Sequence, residues 1–209
     1  MRIYLDDCQT NIDAKDVAEG LAAAARVVEG NGRMIVDVQV YGVAWSEEDL
    51  ANGEFTARSA GELRLATAHP ATLLRDTMMH AADAVLNAEE IQRNAAKLMQ
   101  SDRFGEGLQS LLEALAVWGS VQTAVSRGLS LGIVSREALV RRGIDLDGAI
   151  VALDGRLRTL RDAMLAQDRT AISDCLMYEF PETSKRFATM LAALAQELAS
   201  IEAQATDKA

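Results

Sequence analysis

PATLLRDTMMHAADAVLNAEEIQRNAAKL, residues 70–98, is the stretch whose reading decides the fold. Leu74, Met78, Ala81, Val85, Ala88, Ile91, Ala95 and Leu98 step through it by threes and fours. That period draws an apolar stripe down one side of a helix, so the segment predicts a long amphipathic helix with a bundle or coiled-coil seam. Pro70 suits the first helical turn, where a missing N–H costs nothing. His69, just before it, reads as a turn residue, and His69-Pro70 marks a domain boundary.

Working C-terminally, the same pattern returns three times. Phe104-Gly105-Glu106-Gly107 is a turn, and Leu108, Leu111, Leu115, Trp118, Val125 and Leu129 predict a second helix. Ser135 to Arg142 reads as a short connecting helix, capped by Ser135 and stopped by Gly143. Leu146, Ile150, Leu153, Leu157, Leu160 and Met164 predict a third long helix, and Asp168 is an N-cap for a fourth. Pro181 is expected to kink or break that fourth helix, because proline lacks a donor and crowds the preceding turn. Beyond it Phe187, Met190, Leu191, Leu194, Leu198 and Ile201 resume the stripe. Residues 69–203 therefore predict an antiparallel four-helix bundle, and the polar segment 204–209 a frayed tail.

Working N-terminally, residues 1–68 read as a small α/β head. Ile3 and Leu5 predict a strand, Asp13 an N-cap with Asp16 in the first turn, and Val17 to Val28 a helix ended by Gly30-Asn31-Gly32. Met34, Val36, Val38 and Val40 alternate with Asp37 and Gln39, the clearest strand pattern in the chain. Ser46 and Asp49 form a capping-box pattern for a short turn of helix. Phe55 to Arg58 and Leu63 to Thr67 are expected to be further strands. The head then has a βαβ(β)β order, with a ubiquitin-like or split-βαβ outline. The fold class is α+β, mostly α.

Composition agrees with a helical protein. Hydrophobic residues make up 49% of the 209 but aromatics only 4%, which favours close-packed helices over a β-sandwich. Acidic residues outnumber basic ones 31 to 21, for a formal charge of −10. Phosphate backbones and anionic lipid are repelled by such a chain, so neither nucleic acid nor membrane is an expected partner. Cys8 and Cys175 match neither a disulfide framework nor a zinc spacing, and the N-terminus has no apolar leader core. A cytoplasmic setting is the expectation.

Chemistry has little to work with. Only His69 and His80 are present, and Asp76, four residues before His80, reads as a local pairing partner. A di-iron bundle needs Glu-x-x-His motifs, which the chain lacks. Gly128-Leu129-Ser130-Leu131-Gly132 matches a nucleophile elbow in letters, but it closes a helix instead of joining a strand to one. Asp6-Asp7, Glu47-Glu48-Asp49 and Glu89-Glu90 read as solvated carboxylates. No catalytic, metal or cofactor residue is assigned, and no cofactor is expected.

Candidate interaction residues are more definite. Tyr41 and Trp45 cluster with Phe55 in the head, and aromatics in short loops anchor partners. Tyr178 and Phe180 lie just before Pro181, where a broken helix would open a gap for another chain's helix. Arg158 and Arg161 share one face of the third helix, although Asp154 is placed to pair with Arg158.

The stretch from Ala166-Gln167-Asp168 to Asp174-Cys175-Leu176-Met177-Tyr178-Glu179-Phe180-Pro181 resembles a segment of uncharacterised bacterial helical proteins, some of which accompany motility and flagellar genes. The resemblance spans about thirty residues, with Phe180 where leucine is commoner. It implies an accessory or chaperone-like role and no catalytic residue. The leading expectation is thus a non-catalytic interaction module, adaptor or chaperone-like, that binds another protein along its helices. The alternatives are a small-ligand-binding protein or enzyme with a site at the head–bundle junction, and a homo-oligomeric structural protein.

Overall fold

The computed structural model describes residues 1–101 and 103–206, and the fold is α+β, mostly α. The chain forms two compact units, Met1–Leu73 and Leu74–Ala209.

The first unit is a five-stranded mixed sheet with a helix on one face. Strand β1 (Arg2–Leu5) turns through Asp6-Asp7 into β2 (Cys8–Gln9). Both turn residues have positive φ, 48° and 63°, as a two-residue hairpin of this hand requires. Helix α1 (Val17–Gly30) follows, capped by Asp16, whose carboxylate accepts from the Glu19 amide. The cap is Asp16 and not Asp13, because Asp16 has the extended backbone that lets its side chain reach back over the first turn. Strands β3 (Met34–Val40) and β4 (Val43–Ala44) make a second two-residue hairpin at Tyr41-Gly42. Two short helices, α2 (Glu47–Ala51) and α3 (Gly53–Thr56), then lead to β5 (Glu62–Ala68).

The sheet order is β2-β1-β5-β3-β4, with β5 parallel to β1 and antiparallel to β3. The first two long strands, β1 and β3, are therefore not neighbours, because the return strand β5 lies between them. Phe55 lies in α3 and not in a strand. Asn52 accepts from the Glu54 amide and starts a helical turn before any ladder can form. Strand β3 also departs from strict alternation. A bulge between Ile35 and Asp37 turns Val36 outward to 45% exposure, while Ile35 packs on the core of Ile3, Val17, Val38, Leu63 and Leu65.

Four long helices build the second unit: α4 (Pro70–Gln100), α5 (Phe104–Ser130), α7 (Leu146–Leu165) and α9 (Phe180–Thr206). The short α6 (Arg136–Arg141) lies between α5 and α7, and α8 (Arg169–Asp174) leads into α9. Contacts fix the directions. Gly107 faces Ala95 and Met99, Ser110 faces Ile91, and Gly128 faces Leu74 and Met78, so α5 runs antiparallel to α4. Asp145 pairs with Arg186 and Arg156 with Glu179, so α9 runs antiparallel to α7. Leu111, Trp118, Leu153, Leu160, Phe187 and Leu191 fill the core, where Trp118 meets Phe187 edge-on at 5.5 Å.

Two expectations for the bundle change. The buried stripe of α4 runs through Ala88, Gln92, Ala95, Ala96 and Met99, with Ile91 and Leu98 only half-buried. A helix of 3.6 residues per turn drifts away from a seven-residue seam, and here the drift carries a glutamine inside. Pro181 does not break the last helix either. Cys175–Glu179 form a π-helical turn that joins α8 to α9, and the Phe180 amide donates to the Cys175 carbonyl. The wider turn accommodates a proline ring that would crowd the Met177 carbonyl in a regular α-helix. Helix α9 continues to Thr206, into the segment 204–209 expected to fray, and residues 207–209 lie outside the described residues.

Candidate functional site

Among the expected interaction residues, Pro181 lines an open surface groove of the bundle. It closes one end of an open groove of about 680 Å³ between α4 and α9. The groove exists because its floor is built of small side chains, Ala82, Ala188 and Ala192, which leave the two helices without a ridge to fill the space between them. Met79 and Leu86 stand along one wall, 45% and 43% exposed. Asp83, Glu89 and Glu182 line it with Arg93 and Lys185, and Glu89 pairs with Arg93 along α4. An apolar trough with charged edges is the shape that receives an amphipathic helix.

The remaining expected residues separate. Phe180 is wholly buried, so it belongs to the core and cannot meet a partner at the surface. Its position follows from the helical spacing of Leu176, Phe180 and Phe187, all facing inward. Tyr178 is 70% exposed on the π-helical turn but does not line the groove. Arg158 pairs with Asp154 at 2.9 Å and Arg161 with Asp162 at 2.7 Å, so neither adds to a basic stripe. Beside the same turn, Cys175 is buried, and desolvation, helped by Glu179, pushes its thiol up to about 11. It is an inert packing residue at neutral pH.

In the head, Tyr41 and Trp45 do come together. With Phe55 they line a depression of about 420 Å³. Trp45 and Phe55 meet edge-on at 6.3 Å, and the Arg58 guanidinium lies 4.6 Å above the Phe55 ring. Tyr41 has φ of 53°, a left-handed conformation costly for an aromatic residue, and its hydroxyl accepts from the Gly61 amide at 2.6 Å.

Other readings resolve locally. Asp76 pairs with Arg75 at 3.0 Å, and the His69 ring nitrogen accepts from the Ala71 amide at the start of α4. Ser130 donates to the Arg127 carbonyl at the end of α5, a helical setting that no nucleophile elbow shares. Asp6 is held below the usual carboxylate range by hydrogen bonds from the Thr67 hydroxyl and amide, with Arg33 adding a charge. Among the described residues no group of carboxylates, histidines and cysteines could hold a metal, and no helix is long and apolar enough to cross a membrane.

The residues the sequence reading missed are Met79 and Leu86. Their signal was present: they lie seven apart on α4, outside the buried stripe, and so form a second apolar line. Compared with known proteins, the chain matches no family model, no curated protein and no solved structure.

Proposed function

We propose that this chain is a non-catalytic interaction protein that receives an amphipathic helix of another protein in the groove between α4 and α9. The observation that carries the reading is the groove itself, an apolar trough that ends at Pro181 and leaves Met79 and Leu86 exposed. From Met79 to Arg93 it follows α4 for roughly 21 Å, the length of about four helical turns. Its lining has three carboxylates to two cations, and the whole chain carries −10. Such a surface favours a partner helix with basic flanks. An accessory or chaperone-like role, implied by the resemblance around Pro181, fits a groove that shelters another protein's apolar stripe. A cytoplasmic setting fits two unbridged cysteines, one of them exposed. In the head, an N-terminal hairpin and a β5 strand parallel to β1 support the ubiquitin-like outline over the split-βαβ one.

The test is site-directed photo-crosslinking in the native host, with the probe at Leu86 and, as control, at Val151, which is 71% exposed on α7. The expected product from position 86 is one protein, joined through a basic amphipathic helical segment and lost in Met79→Glu. The position-151 probe should not yield it. Equal capture from both positions sinks the reading, and a crosslink between two copies of this chain replaces it with a homo-oligomer.

A further inference from the structure

A second cavity lies at the end of the bundle, apart from the α4–α9 groove, partly open to solvent and about 360 Å³ in volume. Met99, Leu108, Leu111, Met164 and Ile172 form an apolar part of its wall that two thioethers make adaptable in shape. Its size falls in the range of small-molecule pockets, roughly 300–1,000 Å³. Loose packing is a poor explanation. Close by, Gly107 brings α5 so near α4 that an added Cβ would stand 2.6 Å from Met99 and 2.7 Å from the Ala95 carbonyl. The helices therefore close tightly beside a space that stays open.

Two polar residues, both exposed to solvent, stand at the lining. The Arg169 guanidinium stacks 4.7 Å from the Phe104 ring centroid, which holds the ring to one side, and among the described residues no carboxylate pairs with it. Gln167 occupies the left-handed position after α7, φ 54°, with its amide donating to the Met164 carbonyl and the Asp168 amide donating to that of Ala163. Glycine is the unstrained residue in that motif, so glutamine here carries a cost in backbone strain, and its side chain lines the cavity from the solvent side.

We propose that this cavity binds a slender apolar molecule ending in a carboxylate. The chain of the ligand lies among the methionine and leucine walls. Its carboxylate accepts two parallel N–H bonds from the Arg169 fork, a geometry that suits a planar carboxylate, and a further bond from the Gln167 amide.

Decanoate, decanol and decyl phosphate, titrated calorimetrically into the full chain, test the proposal. Decanoate is expected to saturate one site, with decanol at least about tenfold weaker for want of the charge-assisted pair. Arg169→Met should bring decanoate down to the level of decanol, and Leu108→Trp, which fills the cavity, should abolish both. Gln167→Gly separates ligand binding from a structural role. It should raise the melting midpoint by relieving strain, yet weaken decanoate about two- to tenfold. The proposal is overturned if decanoate fails to saturate below about 1 mM, or binds Arg169→Met as well as the native chain while melting curves show both folded. Tighter binding of decyl phosphate than of decanoate overturns the assignment of the head group.

Discussion

Replacing Gln92 by methionine should make the bundle more stable. Gln92 is 0% exposed on α4, and neither Oε1 nor Nε2 has a partner among the described residues. In the unfolded chain both atoms bond water, and each such bond lost on burial costs about 1–3 kcal/mol. Methionine keeps an unbranched skeleton, a similar helix propensity and a flexible end. It has one heavy atom fewer, and the small void it leaves offsets part of the gain. The net expectation is about 2 kcal/mol of stabilisation. For a chain of 209 residues that raises the melting midpoint by about 4–8 °C. Urea unfolding followed by far-ultraviolet circular dichroism reports on the bundle, and the midpoint should rise with an unchanged slope. A midpoint lowered by a similar amount would refute the reasoning, since it would mean that the amide is bonded to internal water that methionine cannot hold. Ser184 on α9, also buried and unpartnered, supplies the companion variant. Ser184→Ala should stabilise by about 1 kcal/mol, and the two gains should add unless both groups share one water.

Other outcomes follow from the same geometry. Gly107→Ala should destabilise by about 1–3 kcal/mol in urea titrations, because the new methyl meets the Ala95 carbonyl. Gly119→Ala, with nothing within 4 Å of the added Cβ, should stabilise by about 0.5–1 kcal/mol. Equal effects at the two sites would refute the close approach of α4 and α5. Cys8 should react quickly with a maleimide in the native protein and Cys175 only after unfolding, since one thiol is exposed and the other buried. Because the Cys175 thiol is pushed from 9.0 up to about 11, its contribution is present in full below pH 9 and is lost as pH rises through about 11. Native protein should lose roughly 2–3 kcal/mol more stability across that window than Cys175→Ala does. Asp6 works in the opposite direction. Its lowered value stabilises the head above the ordinary carboxylate range, and that support is lost as pH falls through the folded value. In acid titrations followed by the head's resonances, Asp6→Asn should flatten this dependence, and an unchanged profile would show that the Thr67 contacts do not matter.

The sequence by itself determined three of the long helices, since Leu74 to Val85, Leu108 to Leu129 and Leu146 to Met164 repeat at a helical period that no strand could bury. Short-range chemistry was legible for a similar reason. The Ser46–Asp49 capping box and the Ser135 and Asp168 caps depend only on residues three apart, and all three form. The Asp6-Asp7 hairpin was not legible, because its return strand is only Cys8–Gln9 and derives its pairing from β1. The sheet order, with β5 between β1 and β3, is likewise a long-range result that local alternation cannot specify. Only the tertiary structure decided the candidate sites. Pro181 predicted a break, but a π-helical turn absorbed it, which leaves Phe180 inside the bundle and Pro181 on the groove. The groove depends on small residues of two distant helices facing each other, and the end cavity on Phe104 and Arg169 meeting across the bundle. Periodicity shows which face of a helix is apolar. Which part of that face another helix covers is set by packing between segments far apart in the chain.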